Sequence, residues 1–313
     1  MIEDKHPREP AGTRESGSRL TVGITTRNRP EALRRCLASL SHIAHLAPEV
    51  LVFDDASEPP ATAGTSPGGI PVRVIRDERH AGNIAGRNRL VREAVGPSIL
   101  LLDDDAALIE AGAVERGLAV LESDAAAAAI AYAQADRAGA PWPAGMQPAA
   151  FGEPCVVPAF IGFAHMVRRG AFLELGGYRE RYEFYGEEKD FCLRLVDAGY
   201  RTVYLPAALV MHDPDPGGRS PRRYLRYVTR NDCLYALYNE PLARVLWLLP
   251  ARLILYFVMR REWKISDPFG WLWVLRELWS NAPSVLRERR PVGAPARRRW
   301  SALQQAPEVY EGA

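Results

Sequence analysis

The sequence has few cysteines, and they do not form the close pairs that usually hold a structural zinc ion. Its four cysteines lie far apart with no Cys-x-x-Cys pair, so neither a zinc site nor a disulfide framework is supported. We therefore expect a reducing compartment. Residues 1–18 contain no apolar run, which makes them unlike a secretory signal peptide, and we predict a disordered leader there.

The glycine-rich loops that cradle phosphates in two large enzyme classes are also missing. The absence of GxxxxGK[ST] disfavours a P-loop kinase or ATPase, and the absence of GxGxxG disfavours a dinucleotide oxidoreductase. A nucleotidyltransferase should carry a basic, Gly-rich loop after its first strand, where this chain has TTRNRP. That class is therefore disfavoured, although it stays open as an alternative.

The overall composition is that of a folded protein, with 47% hydrophobic and 25% charged residues and a net charge of +2. The charge is unevenly distributed, because residues 241–300 hold twelve Lys or Arg against four Asp or Glu, a net charge of +8 (12 − 4). Six of the seven Trp lie in the same segment. This composition favours a lipid interface, and a basic-tailed nucleic-acid-binding protein remains a remote alternative.

The most apolar stretch runs from Leu242 to Met259 and contains Arg244, Pro250 and Arg252. A bilayer span needs about twenty mostly apolar residues, and a central Arg costs a few kcal/mol. A helix lying in the interface is therefore favoured over a span or an ordinary packed helix. We predict a basic, Trp-rich, membrane-associating helical region over 221–300, a flexible tail over 301–313, and a cytoplasmic protein peripheral on the inner face of the cell membrane.

The first part of the chain predicts an α/β fold, because short runs rich in Val, Ile and Leu alternate with helical patterns. Residues 133–158 are rich in Pro and Gly and predict a loop, while 187–198 predict a helix. The predicted strands are RLTVGIT, EVLVFD, PVRVIR, SILLLD, AAIAYA, AFIGFAHMVRR and YRTVYLP, and the other predicted helices cover 30–40, 83–95 and 110–123, with a short one at AFLELGGY.

Carboxylates follow two of these predicted strands. ILLLDDDA ends in three consecutive acids, Asp103, Asp104 and Asp105, and VLVFDDAS ends in Asp54 and Asp55. Ligands bind at the carboxyl ends of strands in open α/β sheets, and close carboxylates repel unless a cation is present. Hard oxygen ligands favour Mg²⁺ or Mn²⁺. A solvated acidic turn or a helix-capping turn is the alternative in each case.

Six motifs in this order resemble glycosyltransferase family 2, which has the GT-A fold and inverting nucleotide-sugar chemistry, and in particular its bacterial rhamnosyltransferase-like branch. The resemblance covers about Arg19 to His212. It implies a GT-A catalytic domain over 19–220, with a nucleotide-binding half at 19–132 and an acceptor-binding half at 133–220. The motifs are TTRNRP, DDAS, HAGNIAGRN, LDDDA, GGYRERYEFYGEEKDFCLRLVDAGY and VYLPAALVMH.

Matched position by position, the resemblance implies a nucleotide site that contains a metal. His80 stands where the family commonly has Asn, so that contact is not carried over. His212 could instead be a surface histidine. The residues implied beside the nucleotide are Thr25, Arg27, Asp55, Gly82, Arg87, Asp103 and Asp104, with Asn88 on the same helix, and the implied metal ligands are Asp103, Asp105 and His212.

The GEEKD segment matches the acidic pair that supplies the catalytic base in the family. Glu188 takes that role by position and Glu187 is its rival, since an inverting transfer needs one carboxylate to accept the acceptor's proton. An exposed charge cluster with Asp190 and Arg194 is the alternative. Asp190, Arg194 and Trp142 are predicted to bind the acceptor.

The resemblance implies a metal-dependent hexosyl- or deoxyhexosyl-transferase. Its expected cofactor is Mg²⁺ or Mn²⁺, its expected donor a UDP- or dTDP-sugar, and its expected acceptor a glycan or lipid-linked intermediate of cell-surface polysaccharide or glycoconjugate synthesis. An anionic membrane surface is a further expected partner, and nucleic acid is not. The alternatives are a sugar nucleotidyltransferase and an inactive relative that only binds nucleotide sugars.

Overall fold

The computed structural model describes residues 18–150, 152–214 and 220–312. Apart from Ser18, the predicted disordered leader lies outside the described residues, as does the 215–219 part of the turn-rich segment HDPDPGGRSP. In the described residues, one large mixed sheet carries helices on its faces, followed by a helical C-terminal region. The predicted α/β class is confirmed.

The sheet is built from short strands, several of which are buried along their whole length. All five strands predicted between residues 19 and 132 are present. The strands are β1 (Leu20–Thr26), β2 (Glu49–Asp55), β3 (Gly64–Thr65), β4 (Pro71–Asp77), β5 (Ser98–Asp103), β6 (Ala106–Leu108), β7 (Ala127–Ala135), β8 (Cys155–Val157), β9 (Ala164–Arg168), β10 (Arg201–His212) and β11 (Glu308–Val309).

The helices begin and end close to the predicted bounds. Pro30 lies at the start of the first helix, where its fixed φ and missing N–H are tolerated. The helices are α1 (Pro30–Ser39), α2 (Asn83–Glu93), α3 (Gly112–Ser123), α4 (Arg169–Glu174), α5 (Glu187–Asp197), α6 (Pro221–Asn239), α7 (Leu242–Glu262), α8 (Gly270–Glu288) and α9 (Ala294–Gln305). Short 3-10 turns cover Leu40–Leu46, Ala144–Met146 and Glu180–Tyr182.

The strand order is β11-β8-β10-β7-β9-β5-β1-β2-β4-β3, with β6 paired to β10. Parallel pairing joins β5, β1, β2 and β4, and also β7 and β10. Between these two parallel blocks, β9 runs antiparallel to both β5 and β7. The sequence does not indicate this reversal, because strand direction depends on the path of the chain and not on the local pattern.

Two predictions about irregular segments need correction. The predicted loop 133–158 contains the strand β8, which pairs with β10. The predicted flexible tail 301–313 instead continues α9 to Gln305 and then adds β11 to β8. The strands β8 and β11, of three and two residues, are too short for their pattern to indicate a strand. Each gains its backbone hydrogen bonds from a partner that is remote in sequence.

The carboxyl ends of β1, β2 and β5 are in register, which places the predicted acidic motifs side by side. Thr25 is paired with Phe53 on one side and with Asp103 on the other. The loop after β4 leads into α2 at the same edge. The N-cap of α2 is Gly82, whose φ of +92° is one that glycine adopts without a side-chain clash. The sheet edge predicted to bind a ligand is therefore a continuous surface.

Candidate active site

The middle carboxylate of the acidic run, that of Asp104, is buried. Asp104 accepts hydrogen bonds from Thr26 Oγ1 at 2.8 Å and from Arg29 Nη1 at 2.7 Å. Burial raises the pKa of Asp104 to about 7, although Arg29 and Thr26 oppose the rise. The predicted contact of Asp104 with the nucleotide stays a prediction, and in this structure its enclosed carboxylate is bound by Thr26 and Arg29 at the sheet edge.

Arg87 joins the acidic run to the predicted catalytic helix. Its Nη2 donates to Asp103 at 2.7 Å and to the Gly162 carbonyl at 2.6 Å, while Nη1 lies 3.2 Å from Glu187 Oε1. The side chain is only 3% exposed. Burial opposes its charge, but the charges of Asp103 and Glu187 raise its pKa, so the guanidinium stays protonated and anchors both carboxylates.

Glu187 and Glu188 begin α5 and occupy different environments. Glu187 is buried, and burial together with the charge of Glu188 raises its pKa well above the ordinary value. Glu188 is half-buried and lies against Gly162, where an added Cβ would overlap Glu188 Oε1. Because Glu187 is enclosed and Glu188 is partly accessible, the geometry favours Glu188 over Glu187 as the group that accepts a substrate proton.

Asp105 and His212 come together at the ends of β5 and β10. Asp105 Oδ1 is buried without a hydrogen-bond partner and lies 3.8 Å from His212 Nε2, while Oδ2 accepts from Arg29 at 3.0 Å. Gln134 Oε1 lies 2.6 Å from His212 Nδ1, so Nδ1 carries a proton and the amide fixes the orientation of the ring. Trp142 stacks on the imidazole with ring centroids 5.4 Å apart.

These atoms fit a divalent cation that also takes ligands from a bound substrate. Among the residues that the structure describes, no three His, Cys, Asp or Glu side chains form a metal-binding group. The predicted set of three is therefore not assembled, because Asp103 is bound by Arg87. The unsatisfied Asp105 oxygen and the oriented His212 nitrogen are a two-residue set, and Mg²⁺ sites commonly use one or two side chains, substrate phosphate and water.

At the end of β2, Asp55 is bound by the loop that precedes α2. Its carboxylate accepts from the backbone N–H groups of Ala81 at 2.6 Å and Gly82 at 3.1 Å, and His80 Nδ1 lies 2.5 Å from it. A carboxylate has about four acceptor positions, so one further partner can still bind. His80, the residue that departs from the resembled pattern, thus contacts Asp55, the carboxylate predicted to bind the nucleobase.

The two predicted residues of the first strand lie at the same edge. Thr25 Oγ1 is 2.5 Å from Asn83 Oδ1, and Asn83 Nδ2 donates to Asp103 at 3.4 Å. Arg27 is exposed just beyond β1. Asn88 on α2 does not face this edge in the same way. It is buried, and its side chain donates to the Tyr178 carbonyl at 2.8 Å. Asn88 therefore supports the fold, and Thr25 and Arg27 remain at the ligand edge.

Two of the three predicted acceptor-binding residues are not available for that role. Asp190 is fully buried and is bound by Arg179 and by Arg194 Nε at 2.9 Å. The other N–H groups of the Arg194 guanidinium donate to the Leu175 carbonyl at 2.6 Å and to a second carbonyl nearby. The prediction is corrected for both, because a closed ion-pair network leaves no surface for a substrate. Trp142, half-buried beside His212, lies at the site.

Three residues at or near the site were missed by the sequence reasoning: Arg29, Gln134 and Asn231. Arg29 lies two positions after Arg27 in the same TTRNRP motif, and nothing local indicates which arginine turns toward the acids. Gln134 lies in the segment 133–158, which the sequence predicts to be a loop. Asn231 lies in the YVTRNDCLY segment, and its side-chain amide donates to the carbonyls of Tyr182, Phe184 and Tyr185, just before α5.

Residues 21–176 match the family model described as "Glycosyl transferase family 2". Among curated proteins, N-acetylglucosaminyl-diphospho-decaprenol L-rhamnosyltransferase of Mycobacterium tuberculosis is 43% identical over 65 residues, 20% of this chain and 21% of that protein. Pre-mycofactocin glycosyltransferase of the same organism is 29% identical over 220 residues, 66% of this chain and 45% of that protein. The chain thus spans less than half the length of these curated relatives.

Solved structures share the fold at low sequence identity. Staphylococcus aureus TarS 1-349 in complex with UDP-GlcNAc has a TM-score of 0.57 at 16% identity, covering 91% of this chain and 83% of that one. The mannosyltransferase PcManGT from Pyrobaculum calidifontis, in complex with GDP-Man and Mn2+, has a TM-score of 0.52 at 15% identity, covering 92% and 79%. The expected GT-A architecture, a large, mostly parallel sheet followed by C-terminal helices, is confirmed by this likeness.

Proposed function

Because the chain belongs to glycosyl transferase family 2 through residues 21–176, we propose that it moves a sugar from a nucleoside-diphosphate donor to a hydroxyl acceptor with inversion at the anomeric carbon. One observation carries this proposal. Arg87 holds Asp103 at the ligand edge and Glu187 at the start of α5 on the same guanidinium, so the acidic strand end and the acidic helix start belong to one site. Donor and acceptor chemistry can therefore meet there.

The donor is proposed to lie along the ends of β1, β2 and β5. Asp55 has one acceptor position left for a nucleobase N–H, and the exposed Arg27 is a cation for the diphosphate. Asp105 and His212 would hold a divalent cation, which would offset the negative charge of the departing diphosphate. Mn2+ accompanies GDP-Man in the similar mannosyltransferase, which supports Mn²⁺ or Mg²⁺ here.

Glu188 is proposed to act as the general base. It accepts the proton of the acceptor hydroxyl as the oxygen attacks the anomeric carbon, a new C–O bond forms on the face opposite the diphosphate, and the C–O bond to the diphosphate breaks. Its partly accessible carboxylate supports this role, while the enclosed Glu187 helps to keep α5 on Arg87. No covalent enzyme intermediate is required.

The substrates are proposed from chemistry and likeness together. A UDP- or dTDP-sugar is favoured as donor, with a hexose or deoxyhexose, and UDP-GlcNAc is the ligand of one structural neighbour. A glycan or lipid-linked acceptor is supported by the rhamnosyltransferase relative, whose name includes a diphospho-decaprenol lipid. This would place the enzyme in the assembly of cell-surface polysaccharide or glycoconjugate.

The test is release of nucleoside diphosphate from a panel of nucleotide sugars with Mn²⁺, with Mg²⁺ and with EDTA, since slow donor hydrolysis does not require the acceptor. We expect metal-dependent release from one donor. Asp105→Asn should abolish the metal response, whereas Glu174→Gln, which changes one exposed carboxylate on α4, should not. Metal-dependent binding of a nucleotide sugar without any release would support the inactive-relative alternative instead.

A further inference from the structure

The C-terminal helices carry most of the large apolar side chains that the described chain exposes. Seventeen such residues are exposed in total, and thirteen of them lie between 242 and 286. A concentration of this kind marks an interaction surface, since single exposed apolar residues are normally scattered. We call this set the apolar face: Leu242, Leu246, Trp247, Ile254, Leu255, Phe257, Val258, Trp263, Phe269, Leu272, Leu275, Trp279 and Leu286.

By length and composition, α7 alone among the described helices could cross a bilayer, with a mean hydropathy of 1.7 and only 11% of its most apolar window buried. Its contacts argue for a different placement. It is fixed to the protein along its length by buried Val245 and Tyr256, and Arg252 Nη1 lies 3.9 Å from Asp232 on α6. A span would have to break these contacts and carry Arg252 into hydrocarbon.

The turn after α7 is fixed as well, because Asp267 connects it to two helices. Tyr256 Oη donates to the Asp267 carbonyl at 2.7 Å, and Arg226 Nη2 of α6 lies 2.6 Å from Asp267 Oδ1. Arg222 contacts the same carboxylate at 3.0 Å. These bonds hold α7 and the start of α8 on α6.

From this placement we propose that the apolar face docks in the plane of an anionic lipid bilayer. The charge fits this partner, since residues 241–300 carry a net charge of +8 (12 − 4) and exposed Arg261, Lys264 and Arg276 lie beside the face. Exposed Trp residues also suit the boundary between lipid headgroups and hydrocarbon, and Trp279 is 83% exposed.

The same charge argues against a second copy of the chain as the occupant. Two copies meeting through this face would bring their surplus positive charges together, and such like-charge contacts weaken an interface. An anionic lipid surface instead attracts each of these side chains. Lipid is therefore the partner that satisfies both the apolar residues and the surrounding charge.

Aromatic contacts connect the apolar face to the loop before the catalytic helix. The ring centroids of Trp263 and Tyr224 are 5.7 Å apart, and those of Tyr224 and Tyr185 are 4.8 Å apart. Tyr185 lies two positions before Glu187. A second set of aromatic contacts connects α8 to the same loop through α6. The ring centroid of Tyr227 is 5.3 Å from that of Trp273 and 5.8 Å from that of Phe184. If the proposed function holds, an acceptor embedded in the bilayer would approach Glu188 from this side. The docking itself does not depend on that step.

Vesicle sedimentation tests the docking without any catalysis. The full chain is mixed with phosphatidylcholine vesicles that contain or lack phosphatidylglycerol, over a range of salt concentrations. We expect binding that requires phosphatidylglycerol and weakens with salt. Leu246→Glu and Trp279→Glu should each reduce vesicle affinity by about ten-fold or more, since each removes an inserted apolar side chain. Leu173→Glu, at an exposed position of α4, is the matched control and should bind like the unchanged protein.

Three results would overturn the proposal. The first is no binding to phosphatidylglycerol vesicles, or binding that neither glutamate variant weakens. The second is a dimer in lipid-free buffer that Leu246→Glu dissociates, which would make a second copy the occupant. The third concerns depth: the in-plane placement predicts release of the full chain from cell membranes by alkaline carbonate, and retention would mean that α7 crosses the bilayer. Far-UV circular dichroism and thermal unfolding of each variant show whether it is folded.

Discussion

Gly162 leaves the space that the Glu188 carboxylate fills, because a Cβ at position 162 would overlap Glu188 Oε1 and approach the Arg87 guanidinium to 3.0 Å. The proposed base is thus positioned by the absence of a side chain. This contact can be tested without changing any ionisable group.

Gly162→Ala is expected to move Glu188 and lower kcat for sugar transfer, by about ten-fold or more, because small misplacements of a reacting group are costly. The KM for the donor should change little. Steady-state kinetics with a matched control, Gly170→Ala, measure this, since an added Cβ at Gly170 meets nothing within 4 Å. Equal kcat values for the two variants would contradict the placement of Glu188.

Glu188→Gln is expected to reduce kcat by about 10² to 10⁴, the usual contribution of a general base, with donor affinity retained. Glu187→Gln should be milder, because Glu187 is buried and bound to Arg87, whereas Glu188 is partly accessible. Single-turnover transfer rates distinguish the two. A larger loss for Glu187→Gln would exchange the proposed roles.

Gln134→Met is expected to weaken Mn²⁺ binding by about 10- to 100-fold, because Gln134 orients His212 through the Nδ1 hydrogen bond. Titration calorimetry with Mn²⁺ in the presence of the nucleoside diphosphate measures this directly. Gln304→Met, at an exposed position of α9, serves as the control. Unchanged Mn²⁺ affinity in Gln134→Met would remove His212 from the proposed metal site.

Asn231→Ala is expected to lower kcat more than it changes the KM for the donor, because three carbonyl groups of the loop before α5 lose their shared donor. Unfolding should also become easier by about 1–3 kcal/mol, the cost of unsatisfied buried groups. Thr229→Ala removes a buried hydrogen bond within the same helix and is the control for stability alone. If both variants keep full kcat, Asn231 has no positioning role.

Asp190 should make the stability of the protein depend on pH. Burial opposes its charge, but Arg194, Arg179 and Asn239 together lower its pKa below the ordinary 3.8. A lowered folded-state pKa means that this stabilisation is complete above about pH 4–5 and is lost as pH falls through the folded-state value. Asp190→Asn should therefore cost about 3–5 kcal/mol at neutral pH, since it removes the buried carboxylate from the half-buried guanidinium groups of Arg179 and Arg194.

Urea unfolding across the acid range checks this prediction. The difference between the unchanged protein and Asp190→Asn should shrink as the pH falls below 3.8, because the native carboxyl then gains a proton as well. A difference that stays constant with pH would mean that lost packing, and not the charge of Asp190, destabilises the variant.

The sequence determined the parts of this protein that depend on neighbouring residues. Apolar runs ending in acids predicted β2 and β5 and their ligand edge, and the helix pattern after Gly186 predicted α5. The apolar stretch from Leu242 likewise predicted a helix, which is α7. Periodicity and composition are local properties, so they are readable without knowledge of the fold.

Only the tertiary structure decided how the charges are shared. It assigned Arg29 to the acidic run, put Arg87 between Asp103 and Glu187, and closed Asp190 within an ion-pair network. It also determined that β9 runs antiparallel to its neighbours and that β11 pairs with β8. The physical reason is that a buried charge or an unpaired strand edge must be satisfied by whichever group the fold brings near, and that group is usually remote in sequence.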